Sequence, residues 1–150
     1  MNLTDLQSEF SDSNWPKIVS ITKVETAVGK ESGSKESRVK ESGLNQSQDQ
    51  QTYLIQLRIV PEIRWFTGHF PGQPVLPGVV QTHWAGSLSR FLFNLPDTFT
   101  QIHNLKFQTM ILPNAEVALQ LQFVPDKNSV RFSFFNVSNE FSSGRLEFAA

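Results

Sequence analysis

Between Pro61 and Gly78 the chain reads PEIRWFTGHFPGQPVLPG, with four prolines and three glycines in eighteen residues. Proline fixes φ and has no N–H to give to a ladder or a helical turn, so the stretch excludes regular strand and helix interior alike. Immediately beyond it the pattern reverses. GVVQTHWAGSLSRFLFN contains no proline and sets Val80, Trp84, Leu88, Phe91 and Leu95 at spacings of three and four, which is the apolar stripe of an amphipathic helix. This is the only long helix the pattern supports.

The other segments are short and β-rich. WPKIVSITKVETAV predicts a strand over 17–28, and TYLIQLRIV predicts a long one with Tyr53, Ile55, Leu57 and Ile59 on one face and Leu54, Gln56, Arg58 and Val60 on the other. After the helix come TQIHNLKFQTMIL, AEVALQLQFV, SVRFSFFNVS and EFSSGRLEFA, parted by the turn signals PNA, PDKN and SNE. The last is the weakest strand, because Ser-Ser-Gly interrupts it. Leu3, Leu6 and Phe10 suggest a short helix over 4–11 within an N-terminal extension, 1–16. From 29 to 51 the chain is Ser-, Gly-, Lys-, Glu- and Gln-rich, with Lys-Glu-Ser recurring. Such a composition buries too little apolar surface to offset its ordering entropy, so it reads as a polar mobile insertion between the first two strands. The whole is an α+β arrangement in which a curved antiparallel sheet wraps one long central helix.

At 150 residues the chain suits a single domain. It has no cysteine, which excludes disulfides and Cys-type metal sites and fits a reducing compartment. Its formal net charge of -1, without a dense basic run, argues against nucleic acid. The start, MNLTDLQSEFSDSNW, has neither the basic region nor the apolar core of a signal peptide, and no apolar run approaches the roughly 20 residues of a membrane span. A cytoplasmic location is expected. Thirteen Phe against one Tyr supply much ring area for a core, an interface or an apolar channel.

Phe66, Gly68, His69, Phe70, Pro71, Pro74, Val75, Pro77, Gly78, Val79 and Val80 spell F-x-G-H-F-P-x-x-P-V-x-P-G-V-V. The run resembles the signature of the 3-hydroxyacyl-[acyl-carrier-protein] dehydratases of the hot-dog fold. Further on, KFQTMILPNAEV from Lys106 resembles that family's K-F-x-x-x-V-x-P-G-D strand, with Asn114 where the glycine stands. The resemblance covers about residues 52 to 124. It implies a homodimer, or an oligomer of dimers, whose sites are built across the two chains. The substrate would be a thioester on an acyl-carrier protein or coenzyme A, and no metal or redox cofactor would take part.

Such a dehydration needs a base for the proton next to the carbonyl, an acid for the departing hydroxyl and donors for the developing oxyanion. His69 suits the base, because an imidazole is mostly neutral yet basic near pH 7. Gly78 would present a bare backbone N–H at the helix start to the thioester oxygen. The plainer alternative is that His69 satisfies a loop hydrogen bond and Gly78 serves the turn. Around these two, Phe70, Pro71, Pro77, Val79, Trp84 and Ser87 are expected to contact substrate. Trp65 and Phe66 could wall an acyl channel or plug a core, and His103 reads as a surface side chain.

His83 is the departure. It stands where the resemblance calls for glutamate, Ser87 stands where it calls for glutamine, and no Asp or Glu lies between Glu62 and Asp97. A protonated His83 could supply the acid if His69 stays neutral, since neighbouring histidines titrate as a coupled pair. Otherwise His83, Ser87, Arg90 and Asn94 form only a solvated polar stripe. Two further readings stay open: a hot-dog acyl thioesterase, disfavoured by the carboxylate-free helix, and a non-catalytic acyl-binding subunit whose partner supplies the glutamate. A divergent branch serving specialised lipid or aryl-polyene synthesis fits the missing acid best.

Overall fold

The computed structural model describes residues 2–24, 51–66, 74–96 and 99–149. The strand residues expected over 25–28, the polar insertion but for Gln51, and His69, Phe70 and Pro71 lie outside the described residues.

The described elements run α1 (Leu3–Glu9), β1 (Lys17–Val24), β2 (Thr52–Arg58), a 3-10 turn (Arg64–Phe66), α2 (Gly78–Phe93), β3 (Phe99–Phe107), β4 (Glu116–Val124), a second 3-10 turn (Pro125–Lys127), β5 (Ser129–Phe135) and β6 (Glu140–Phe148). Six strands pair in the order β1-β2-β4-β5-β6-β3, and every pairing is antiparallel. Helix α2 packs against β4 and β6, so the sheet covers the helix as the element pattern predicts.

Alternation places the core. Ile55, Leu57 and Ile59 are buried, whereas Gln56 and Arg58 are exposed. Val117, Leu119 and Leu121 of β4 and Val130, Phe132 and Phe134 of β5 continue the same buried layer. On α2 the expected stripe is realised by Val80, Trp84 and Leu88, the last two with almost no exposed surface, while Phe91 and Leu95 pack at its margin. Pro77 caps the start of α2 in an extended conformation, and Asn94 ends it in the left-handed region at φ 57°, which asparagine tolerates better than most residues.

Asparagine also carries the turns. Asn114 lies at φ 73° and Asn128 at φ 47°. The first result explains why Asn stands where the resembling motif has Gly: the backbone there is left-handed, and Asn is the side chain best able to replace glycine in it. Asn136 accepts from the N–H groups of Ser138 and Asn139, both at 2.9 Å, closing the β5–β6 turn.

The structure corrects four expectations. The N-terminal helix is Leu3–Glu9 rather than 4–11, with Asn2 capping it through the Asp5 N–H. The strand expected to run through TQIHNLKFQTMIL stops at Phe107, after a bulge at Asn104, φ 56°. Ser-Ser-Gly does not break β6. Ser142 faces α2 and gives its hydroxyl to Gln81 Oε1 at 2.6 Å, and a Cβ on Gly144 would come within 3.0 Å of the Phe132 ring. The small residues make room for the helix and the ring. Finally, His103 is half-buried and hydrogen-bonds Glu147 across β3 and β6, Nε2 to Oε1 2.8 Å.

Candidate active site

The start of α2 is held from three sides. The Leu76 N–H donates to Ile111 C=O at 2.9 Å, tying the chain entering the helix to the segment beyond β3. Gln81, almost wholly buried, donates from Nε2 to Leu76 C=O at 3.3 Å while its Oε1 accepts from Ser142. The N–H groups of Val80 and Gln81 both turn back to Pro77 C=O, at 3.1 and 3.3 Å. That leaves the N–H groups of Gly78 and Val79 outside the helical ladder, at the positive end of the helix dipole.

Gly78 opens on a cavity of about 590 Å³ lined mainly by apolar groups, among them Leu76, Pro77, Val79, Phe107 and Met110. The Phe107 ring lies directly over the glycine: a Cβ there would meet two ring atoms at 2.7 Å. Phe107, Met110 and Val79 are nevertheless 52%, 63% and 74% exposed. A thioester carbonyl entering this cavity could therefore reach a bare backbone and two N–H groups under a ring that has space to swing aside.

His83 lies on the outer face of α2, exposed as a residue but with its ring partly covered, stacked on Trp15 at 5.3 Å and 24° between planes. Burial, chiefly, and the Arg90 cation hold its pKa below the usual 6.5. The condition that His83 stay protonated near pH 7 is thus opposed by its surroundings in this chain. Beside it a second cavity of about 400 Å³ is lined by Glu9, Phe10, Ser87 and Arg90.

Among the remaining sequence candidates, Val79 and Pro77 border the Gly78 cavity and Ser87 borders the His83 cavity. Ser87 is buried, so the polar stripe is not solvated along its whole length. The substrate contact expected of Trp84 finds no surface: the ring is fully buried in the core and its Nε1–H donates to Asn14 C=O at 2.9 Å. Phe66 plugs the core, and Trp65 is fixed through Nε1–H to the same Asn14 carbonyl. The sequence reading missed Gln81, Phe107 and Trp15. Gln81 carried a faint signal as a polar residue beside the apolar stripe; the other two owe their places to partners far away in the chain. Among the described residues, no three His, Cys, Asp or Glu side chains converge as a metal site requires.

Residues 45–145 match the model of the ApeI-like family, described as ApeI dehydratase. The chain belongs to the ApeI-like dehydratases. Among solved structures, this ApeI-like chain is 30% identical to a chain of the dehydratase heterocomplex ApeI:P from Xenorhabdus doucetiae, with 66% of this chain and 88% of that one covered and a TM-score of 0.62. It is 34% identical to an uncharacterized protein from Erwinia carotovora subsp. atroseptica, with 67% and 85% covered and a TM-score of 0.60. The 3-hydroxyacyl-[acyl-carrier-protein] dehydratase FabZ of Legionella pneumophila (strain Lens) is 31% identical over 86 residues, which is 50% of this chain and 57% of that protein's own length. The α+β architecture expected from the element pattern, with the hot-dog fold that the resemblance implied, is shared with the solved dehydratase structure.

Proposed function

We propose that this chain removes water from a 3-hydroxyacyl thioester carried on an acyl-carrier protein, giving the trans-2-enoyl thioester in fatty-acid or polyene-type biosynthesis. The observation that carries the reading is the start of α2, where Gly78 and its unpaired position in the helical ladder open on an apolar cavity. In this reading the Gly78 N–H stabilises the thioester oxygen as negative charge develops on it. His69 takes the proton from C2, the C2–H electrons form the C2–C3 double bond, and the C3 hydroxyl leaves with a proton from His83 as water. Each turnover moves one proton from substrate to His69 and one from His83 to water, and exchange with solvent resets the pair.

The acting unit is a cytoplasmic homodimer. Among the described residues strand β3 is a sheet edge, Ile102, Leu105 and Phe107 on it are exposed large apolar residues, and Phe107 lines the cavity with Met110 and Val79. An uncovered apolar edge is what a second copy would pair with. The structural likeness to a chain of the ApeI:P heterocomplex favours one alternative, an ApeI-like subunit whose partner supplies the missing glutamate. The absence of Asp and Glu from α2 disfavours a thioesterase.

Purified protein incubated with 3-hydroxyacyl thioesters of the carrier protein and of coenzyme A tests both. Wild-type turnover, abolished in His69→Ala and retained in His83→Glu, supports the self-sufficient enzyme. An inert wild type awakened by His83→Glu would sink it in favour of the partner subunit.

A further inference from the structure

The loop between α1 and β1 joins the 3-10 turn at Arg64–Phe66 to α2 beside His83. Its Asn14 carbonyl accepts two indole N–H groups, from Trp65 and Trp84, each at 2.9 Å. Ser13 C=O accepts from the Arg64 N–H at 2.9 Å, and Asn14 Oδ1 accepts from Arg64 Nη1 at 3.2 Å. The loop is closed on itself by Asp12, whose carboxylate accepts from the Asn14 N–H and whose carbonyl accepts from the Trp15 N–H. Trp15 is then fixed between two rings: Phe10 meets it edge-on at 4.7 Å, and its face lies against the His83 imidazole. The loop residues themselves, Phe10 to Trp15, lie ahead of the residues that match the family model, whereas Arg64, Trp65, His83 and Trp84 lie within them.

We infer that Trp15 is a positioning residue for His83, and that this loop fixes the orientation of the imidazole at the rim of α2. Stacking occupies the face of the imidazole and leaves both ring nitrogens, which lie in the ring plane, clear of the indole. A side chain on an exposed helix face otherwise samples several rotamers, and a group that must meet a departing hydroxyl loses rate steeply when misplaced by an ångström. The charged groups facing His83 are Arg90 on its own helix and Glu9 at the end of α1, both on the rim of the same cavity. The consequence for turnover rests on the dehydratase reading; the orientation rests on the packing alone.

The test is NMR of the His83 imidazole, assigned by its loss in His83→Gln, in the full-length wild type, Trp15→Ala and Trp15→Phe. In the wild type we expect ring-current displacement of the imidazole protons and cross-relaxation with the Trp15 indole. Trp15→Ala should lose the displacement. Its kcat should fall about tenfold or more with KM little changed, and Trp15→Phe, which keeps a ring, should restore most of both. Should Trp15→Ala not fold, the wild-type signals and Trp15→Phe decide. Imidazole signals undisplaced in the wild type, or unmoved in a folded Trp15→Ala, would overturn the inference. If the signals respond while every protein is inert on 3-hydroxyacyl thioesters, the positioning holds and the dehydratase reading falls. If an active wild type has an imidazole indifferent to Trp15, the reverse is true.

Discussion

Gly78 and Phe107 compete for the same few ångströms, which makes their substitutions separable. Gly78→Val drives a side chain into the Phe107 ring; because that ring is half-exposed, the stability cost should sit low in the range of about 1–3 kcal/mol usual for overpacking. Turnover should fall about a hundredfold or more if the carbonyl must reach this backbone. Adding Phe107→Ala should recover the melting temperature but not kcat, and recovery of both would remove the oxyanion role. His83 gives a second prediction at this scale. Its pKa is held below 6.5 by burial and then by Arg90, so the proton-donating form gains population as pH falls. The alkaline limb of kcat/KM should therefore lie below pH 6.5, and a limb above it would assign the acid to another group. The sign for folding is opposite: just below pH 6.5 the unfolded chain binds a proton that the folded histidine resists, so stability rises with pH through that window. The identities at 69, 78 and 83 were legible as a motif, but the environment of His83 was not. Its partner Trp15 lies in a stretch whose local pattern, NWPKIV, announces only the entry to a strand.

At the scale of elements, α2 and β6 meet through one buried polar contact. Ser142 donates to Gln81 Oε1 at 2.6 Å, and Gln81 in turn fixes the Leu76 carbonyl just before Gly78. Ser142→Ala leaves a buried acceptor without its donor, at a cost of about 1–3 kcal/mol, which corresponds to a loss of about 2–4 °C in Tm per kcal/mol for a chain of this size. Thermal melts check the loss; a variant as stable as wild type would mean that Gln81 finds another donor. Periodicity foresaw α2 and the inner face of β2 well, because burial on one side imposes a fixed repeat of apolar residues. It misjudged β6, since Ser142 and Gly144 are small for reasons that lie in the opposing helix and in Phe132. It overran β3, since the strand ends where the segment past Phe107 turns to bond Phe141 and, at Ile111, Leu76.

At the scale of the molecule, the sheet order leaves β3 unpaired on one side among the described residues, with exposed Ile102 and Leu105 on the same strand as Phe107. Leu105→Asp should convert a dimer to a monomer by gel filtration with light scattering, because a buried carboxylate without a partner opposes the pairing; a wild type already monomeric, or a variant still dimeric, would place the interface elsewhere. Turnover should fall with the dimer if each site draws on both chains. What the sequence determined by itself was the inventory: one amphipathic helix, β-rich segments parted by turn signals, and a proline-rich histidine motif ending at the helix start. These are legible because they follow from φ restrictions and from the repeat of burial, both local in the chain. Only the tertiary structure decided that Phe107 covers Gly78, that Ser142 and Gln81 brace the helix entrance, and that Trp15 lies on His83. Each of these joins residues on separate elements, and their meeting depends on strand order, register and the packing of whole elements, to which no local repeat in the sequence is coupled.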